Sequence, residues 1–479
     1  MDPIYPPWLT KQMVSGIRGF NMCAYLLALE GWRRGLNLRW YYNPDGHTDL
    51  KGIGFNTTGK FFSLSDGTHT HYFFRSRGDL VSTEALDIAS DKNLTKQYLS
   101  AAGVPISEGT TFSIAEEERS IIEKASKISY PLVIKPALGS LGKGVVTNIS
   151  TEQELKESLQ YVKEEFSYES YIMEKHVEGD DYRIYVIGDK VLGAIKRVPA
   201  NVVGDGIHSI KDLITFKNEQ RRENPHLATR QIKVTSDLIT FLKKQDKTVD
   251  DIANKDELIF LRGLNNISSG GDSIDVTDEL PSYFKQVAVN TVKAVPGLIH
   301  AGIDVIIKDK NITVIEINAT AGITLHSFPM YGRPRNVPAG IVDYYFPATK
   351  KREKADDNLY YDHKTVLELM NGNAIQSIEI SHALLGPLYA KRYVVSGKVQ
   401  GVNYRRWIRK RALENGLCGY TRNLSNGKVV VVVGGIDEKI VNDFYHTCVE
   451  GPERAEVQQV KAFVWDKQIK VGFEIRKDK

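Results

Sequence analysis

The chain has 479 residues, more than one hydrophobic core organises, so two or three domains are expected. Its 42% apolar and 25% charged residues are those of a globular protein, and a net charge of +4 over that length argues against a nucleic-acid or membrane partner. Cys23, Cys418 and Cys448 are scattered and odd in number; they fit neither a disulfide framework nor a CxxC metal site, and point to a reducing, cytoplasmic setting.

Residues 1–85 are aromatic and Arg-rich, with strand-like runs at Arg39–Tyr42 and His71–Arg75, and read as an accessory α/β subdomain. The apolar run Met22–Leu29 is far shorter than the roughly 20 residues of a membrane span. Glu30 and Trp32-Arg33-Arg34 follow it without a small-residue cleavage site, so it reads as a buried helical turn and not as a signal peptide. Arg75 and Arg77, in FFRSRGD, either hold a substrate carboxylate or end a solvated strand.

Residues 86–348 alternate helical and strand patterns, an α/β signature. The apolar strand Tyr130–Pro136 carries Lys135 near its end, and GSLGKG follows, with Gly139, Ser140, Gly142, Lys143 and Gly144. Glycines at that spacing let backbone amides approach a polyphosphate, while Lys135 and Lys143 supply charge; an ordinary hairpin turn has the same look. The loop is not a Walker A motif, since no helix-opening GK[ST] occurs, and it is not the dinucleotide fingerprint. Downstream, Arg183, Lys196, Arg197 and Arg262 add cationic donors.

The segment Ile299–Thr320 reads as two apolar strands joined at Asp309-Lys310-Asn311. If residue 308 pairs with 312, Asp304 stands opposite Glu316, with Asn318 further along the same face. Like charges at that separation destabilise a sheet, and a divalent cation resolves the conflict. An exposed hairpin whose polar face meets water is the alternative.

Residues 349–385 open with the charged, apolar-poor stretch KKREKADDNLYYDH and read as a linker. From residue 386 onward the pattern is Tyr389–Lys398 strand, Tyr404–Asn415 helix, Lys428–Val433 strand, Glu438–His446 helix, then closing strands Val457–Trp465 and Lys470–Arg476. It suggests a ferredoxin-like β-α-β-β-α-β sandwich.

Seven blocks in one order carry a resemblance: DKNLTKQYLSAAGVPISEG, YPLVIKPALGSLGKGVV, MEKHVEGDDYR, RVPANVVGDGIHSIKDLI, LRGLNNISSGG, GIDVIIKDKNITVIEINATAG and HSFPMYGRPRNV. Residues 88 to 347 resemble the ATP-grasp domain of cyanophycin synthetases and bifunctional glutathione synthetases. The resemblance implies that Lys92 and Lys135 meet the nucleotide, and that Gly139, Ser140, Gly142, Lys143 and Gly144 form a flap over its phosphates. It further implies that Glu174, Lys175 and Val177 line the adenine hinge and that Asp181 takes the ribose hydroxyls. Asp304, Glu316 and Asn318 fall on the Mg2+ ligands, Arg262 on the residue that neutralises the transferred phosphoryl group, and His326 and Arg335 near the acceptor. Ala321 stands where the family has proline, which puts the substrate-facing wall in question.

Val395–Arg405 (VSGKVQGVNYR) and Gly419–Gly435 resemble the two motifs of acylphosphatases, a likeness spanning residues 390 to 479. It implies that Arg405 binds the phosphoryl group with the backbone amides of Gln400–Tyr404, and that Asn423 orients the attacking water. Asn403 stands where that family more often has glycine or another residue, which puts the shape of the cradle in question.

The expected architecture is therefore an α/β and α+β multidomain chain: accessory subdomain 1–85, ATP-grasp domain 86–348, linker 349–385 and ferredoxin-like acylphosphatase sandwich 386–479. The expected function is an ATP- and Mg2+-dependent ligase joining small-molecule carboxylates and amines, amino acids or short peptides, with a tethered acylphosphatase. A hydrolase whose ATP-grasp part only senses nucleotide is the alternative, and self-association into a homo-oligomer is left open.

Overall fold

The computed structural model describes residues 5–43, 45–52, 57–139, 143–263, 266–372 and 374–478. They form two compact units, one of Ser76–Gly340 and one in which Tyr5–Arg75 joins Ile341–Lys479. No helix among the described residues is long and apolar enough to cross a membrane.

The Ser76–Gly340 unit is built on two antiparallel sheets. In the larger, the strands lie in the order Asp272–Asp275, Lys190–Val198, Asp180–Ile187, His300–Lys308, Asn311–Asn318. Period-two alternation puts Ile184, Ala194, Ile303, Val305 and Ile317 on one face, in one core with the apolar sides of helices Thr83–Ser90 and Ser282–Lys293. Burying each such Val or Ile side chain is worth roughly 1.5–3 kcal/mol relative to exposure, so this face fixes the register. The polar face is left for chemistry. The smaller sheet runs Gly109–Ser113, Ser170–Lys175, Leu132–Pro136, Val146–Ile149 and shares a core with helices Glu118–Ile128 and Glu152–Glu165. Helix Lys92–Ala101 starts at Asp91, whose carboxylate accepts from the amides of Asn93 and Leu94 and so fixes where Lys92 leaves the helix.

In the second unit, helix Phe20–Arg33 packs on the antiparallel strands Asn37–Tyr41 and Phe61–Ser65, the latter of which pairs on with Thr70–Phe74. The segment expected as a linker is not one. Ser377–Ile380 pairs with Asn37–Tyr41, Leu359–Tyr360 pairs with Ile469–Lys470, and His363–Met370 is a helix. The His363 ring lies 4.4 Å from that of Trp40. The N-terminal residues 5–75 accordingly fold with the C-terminal part of the chain rather than as the separate subdomain 1–85.

The C-terminal sandwich has strand order Glu456–Val464, Tyr389–Lys398, Val429–Gly435, Cys418–Asn423, Phe473–Ile475, with helices Tyr404–Glu414 and Glu438–Glu450 packed on it. Asn423 ends a strand of its own, and the expected Lys470–Arg476 strand is split at Gly472, which has φ +80°.

Candidate active site

The polar face of the larger sheet gathers charged side chains in adjacent rows. Asp304 pairs with Arg183 on one side and with Glu316 on the other; Gly302 pairs with Asn318, and Arg197 with Asp181. Residues paired directly across strands share a face, so these groups converge. Arg183 grips Asp304 through two hydrogen bonds of 2.6 Å, and Arg197 reaches both Asp181 at 2.5 Å and Asp304 at 3.3 Å. The Asn318 amide nitrogen lies 3.5 Å from Asp304 Oδ2.

These contacts separate the carboxylates electrostatically. Burial penalises the charge of Asp304, but Arg183 and Arg197 outweigh it and hold the carboxyl below its usual range. Glu316 is pushed up, first by burial and then by Asp304, with Lys92 opposing. Asp181 is pushed up to about 6, mainly by burial, with Arg197 opposing. Glu316 is thus an anion whose surroundings leave it under-compensated.

Helix Lys92–Ala101 and the smaller sheet supply ammonium groups. Lys92 Nζ donates to the Gly139 carbonyl at 2.8 Å and stands 3.7 Å from Glu316; burial lowers its pKa. Lys135 and Lys96 each meet one oxygen of Glu174 at 2.8 Å. Lys92, Lys96, Lys135 and Glu316 line one recess with Ile315. Lys96 escaped the sequence reading, although its spacing of four residues from Lys92 puts both on one helix face.

The other expected residues are distributed as follows. Gly144 has φ +70°, and a Cβ there would stand 3.0 Å from Pro136; Lys143 is exposed; Ser140 and Gly142 lie outside the described residues. Lys175 is exposed and Val177 half-buried just after the strand that carries Glu174. The Arg262 guanidinium donates to Thr235 Oγ1 at 3.1 Å. Arg335 is held by Asp275 and Asp278, and His326 is fully buried against Tyr185. Neither Arg75 nor Arg77 ends a solvated strand: Arg75 lies over the Phe20 ring at 3.8 Å, and Arg77 is buried.

The chemistry of the donors suits Mg2+. Two carboxylates and a side-chain amide are hard oxygen donors, few enough to leave positions for phosphate oxygens and water, and Glu316 gains from a neighbouring cation.

In the sandwich, Asn403 has φ +62° at the start of helix Tyr404–Glu414, a left-handed conformation that asparagine tolerates better than most residues. Gln400 Nε2 donates to the Leu424 and Lys428 carbonyls at 2.8 and 2.9 Å, tying this loop to the turn after Asn423. Arg405 and Asn423 share one partner, the Asp478 carboxylate: its Oδ1 meets Arg405, and its Oδ2 accepts from Asn423 at 3.2 Å. Two groups positioned to hold an anion thus hold one.

Comparison with known proteins identifies the families that the two regions resemble. Residues 89–205 match the family described as RimK-like ATP-grasp domain, residues 201–322 an ATP-grasp domain, and residues 391–475 acylphosphatase. The chain is 36% identical over 293 residues to a cyanophycin synthetase of Crocosphaera subtropica, covering 59% of this chain and 33% of that protein. It is 32% identical over 303 residues to the glutathione biosynthesis bifunctional protein of Pasteurella multocida, covering 60% of this chain and 39% of the relative. The chain therefore spans between a third and two fifths of the length of these curated relatives. Among solved structures, an acylphosphatase from Coxiella burnetii aligns at 34% identity over 19% of this chain and 93% of its own, with TM-score 0.18.

Proposed function

From the premise that the chain carries a RimK-like ATP-grasp domain followed by an acylphosphatase domain, we propose that it is a cytoplasmic ATP- and Mg2+-dependent carboxylate–amine ligase with a tethered acylphosphatase. Its substrates in this reading are small molecules, amino acids or short peptides, which the named relatives make plausible by kind. The observation that carries the reading is the placement of Asp304 opposite Glu316, with Lys92 of a neighbouring helix facing the pair.

In this reading Lys92 and Lys135 bind the nucleotide phosphates, the Gly139–Gly144 loop covers them, Glu174, Lys175 and Val177 border the adenine, and Asp181 accepts from the ribose hydroxyls. Asp304, Glu316 and Asn318 would hold Mg2+, which when bound offsets charge on the phosphates. Arg183 and Arg197, which hold Asp304, would add guanidinium charge beside the metal ligands, while Arg262 would neutralise the transferred phosphoryl group. A substrate carboxylate oxygen takes the γ-phosphoryl group and ADP leaves; the amine then displaces phosphate from the acyl carbon and an amide forms. Fixed cationic groups stabilise such a transfer without a covalent enzyme intermediate. Arg405 and Asn423 serve the opposite chemistry, hydrolysis of acyl phosphate that escapes capture by the amine.

The test is ADP and phosphate release from MgATP against a panel of amino acids and dipeptides taken in pairs, with products identified by mass spectrometry. Turnover that requires both partners and yields an amide supports the ligase; ATP hydrolysis indifferent to every carboxylate and amine refutes it. For the tethered domain, Arg405→Ala is expected to raise free acyl phosphate during turnover, and unchanged release removes that half of the reading.

A further inference from the structure

The buried Glu174 has two ammonium partners where a neutral pair needs one. Lys96 sits one helical turn beyond Lys92 and meets Glu174 Oε1 at 2.8 Å, while Lys135 meets Oε2 at 2.8 Å. Lys96 also donates to the Ser107 carbonyl at 2.8 Å, which fixes its ammonium group. The space it fills is left by Gly109. A Cβ there would stand 3.1 Å from Lys96 Nζ, 2.9 Å from Glu174 Cγ and 2.6 Å from the Met173 carbonyl oxygen. Glu174 is only 3% exposed, so water does little to damp these charges.

An isolated pair of Glu174 and Lys135 would be neutral and would offer a polyanion little attraction. With Lys96 added, the trio carries one net positive charge, and Glu174 orients Lys135 without cancelling it. We propose that Lys96 is a positioning residue of the phosphoryl-transfer site: by occupying one oxygen of Glu174, it leaves the charge of Lys135 available to the nucleotide phosphates. Lys96 acts through Lys135 and does not touch substrate. The identity of the ligand as ATP rests on the ligase reading above.

Calorimetric titration of the full chain with ATP and, separately, with adenosine tests this. Lys96→Met is expected to weaken ATP binding by about 30-fold and adenosine binding by less than about threefold, because adenosine carries no phosphate. Adding Glu174→Gln to Lys96→Met removes the carboxylate that neutralises Lys135 and is expected to recover ATP affinity to within about tenfold of the parent. ATP binding unchanged in Lys96→Met, equal losses for both ligands, or no recovery in the double variant overturns the proposal. Should Lys96→Met fail to fold, Lys96→Gln, which can still donate to the Ser107 carbonyl but carries no charge, decides in its place: a loss of ATP affinity of about 30-fold with adenosine binding changed by less than about threefold supports the inference, and unchanged ATP binding overturns it. A parent protein that does not bind ATP at all refutes the ligase reading itself, a result distinct from each of these.

Discussion

Asp304 and Glu316 face each other across two strands because Ile315 is extruded from the pairing between them and the turn. Lys308 pairs with Asn311 and Val305 with Val314, yet Asp304 pairs with Glu316, leaving Ile315 as a bulge. Without the bulge, Asp304 would meet Ile315, and Glu316 would point to the apolar core. Bulges are frequent beside functional sites because they re-aim a side chain, as this one does.

Glu316→Gln should therefore separate stability from activity. The substitution keeps the shape and removes a charge that burial and Asp304 disfavour. In the absence of metal, the melting temperature is expected to rise by about 2 °C, the sign of a residue kept for function at a cost in stability. MgATP-dependent ADP formation is expected to fall by about 100-fold or more. Scanning fluorimetry and a coupled ADP assay check the two arms; a lower melting temperature with undiminished turnover would make Glu316 a mere ion-pair partner of Lys92.

How far the sequence was legible follows from where each signal lies. Alternation of apolar residues revealed the hairpin and the facing carboxylates, but through a pairing of 308 with 312 that does not occur. The real turn is one residue tighter, with Asp309 at φ +55°, and the bulge restores the count. Valine and isoleucine fill positions 314, 315 and 317, so nothing in the local pattern marks which residue is extruded. The contact of Arg262 was not legible either, because a loop arginine takes its direction from tertiary neighbours, here Thr235. Residues 349–385 looked like a linker because the strands that pair with Leu359–Tyr360 and Ser377–Ile380 lie far away in sequence.

That segment gives a second prediction. Leu359, Tyr361 and His363 are at most 2% exposed, so residues 357–368 should resist limited trypsin digestion under native conditions. Tyr361→Ala removes a ring packed edge-on against Tyr25 at 5.3 Å and Trp32 at 5.6 Å. It should cost about 3–5 kcal/mol of stability in its own unit, as large-to-small aromatic substitutions in a core do. Cleavage at Lys364 as rapid as in an unfolded chain would contradict the packing.

In the acylphosphatase domain, one carboxylate engages both candidate groups. Removing it with Asp478→Asn leaves Arg405 and Asn423 in place but takes away a negative charge that any incoming anion must displace. Inorganic phosphate is expected to inhibit hydrolysis of a simple acyl phosphate at a concentration lower by about three- to tenfold in this variant. The Arg405→Ala variant should lose about 100-fold or more in hydrolysis rate. Inhibition by phosphate that is identical with and without the Asp478 carboxylate would show that the contact does not compete with anions.

The last prediction concerns pH. Asp181 is pushed up to about 6 by burial, against an ordinary value of 3.8, so it loses its charge within an accessible range. A neutral carboxyl is a poorer acceptor for ribose hydroxyls, so adenosine affinity should fall as pH drops below 6, by no more than about tenfold per pH unit for one proton. Adenosine is the proper probe, because ATP adds a phosphate titration of its own. Stability should move the other way. Because the folded value lies above the ordinary one, the folded chain holds this proton more tightly than the unfolded chain does, and the contribution of Asp181 becomes more favourable as pH falls from 6 toward 4. Subtracting the behaviour of Asp181→Asn isolates both trends from the remaining carboxylates. Calorimetric titration and thermal melts between pH 7.5 and 5 measure them. Adenosine affinity that is flat across this range in the parent protein would remove Asp181 from the ribose site.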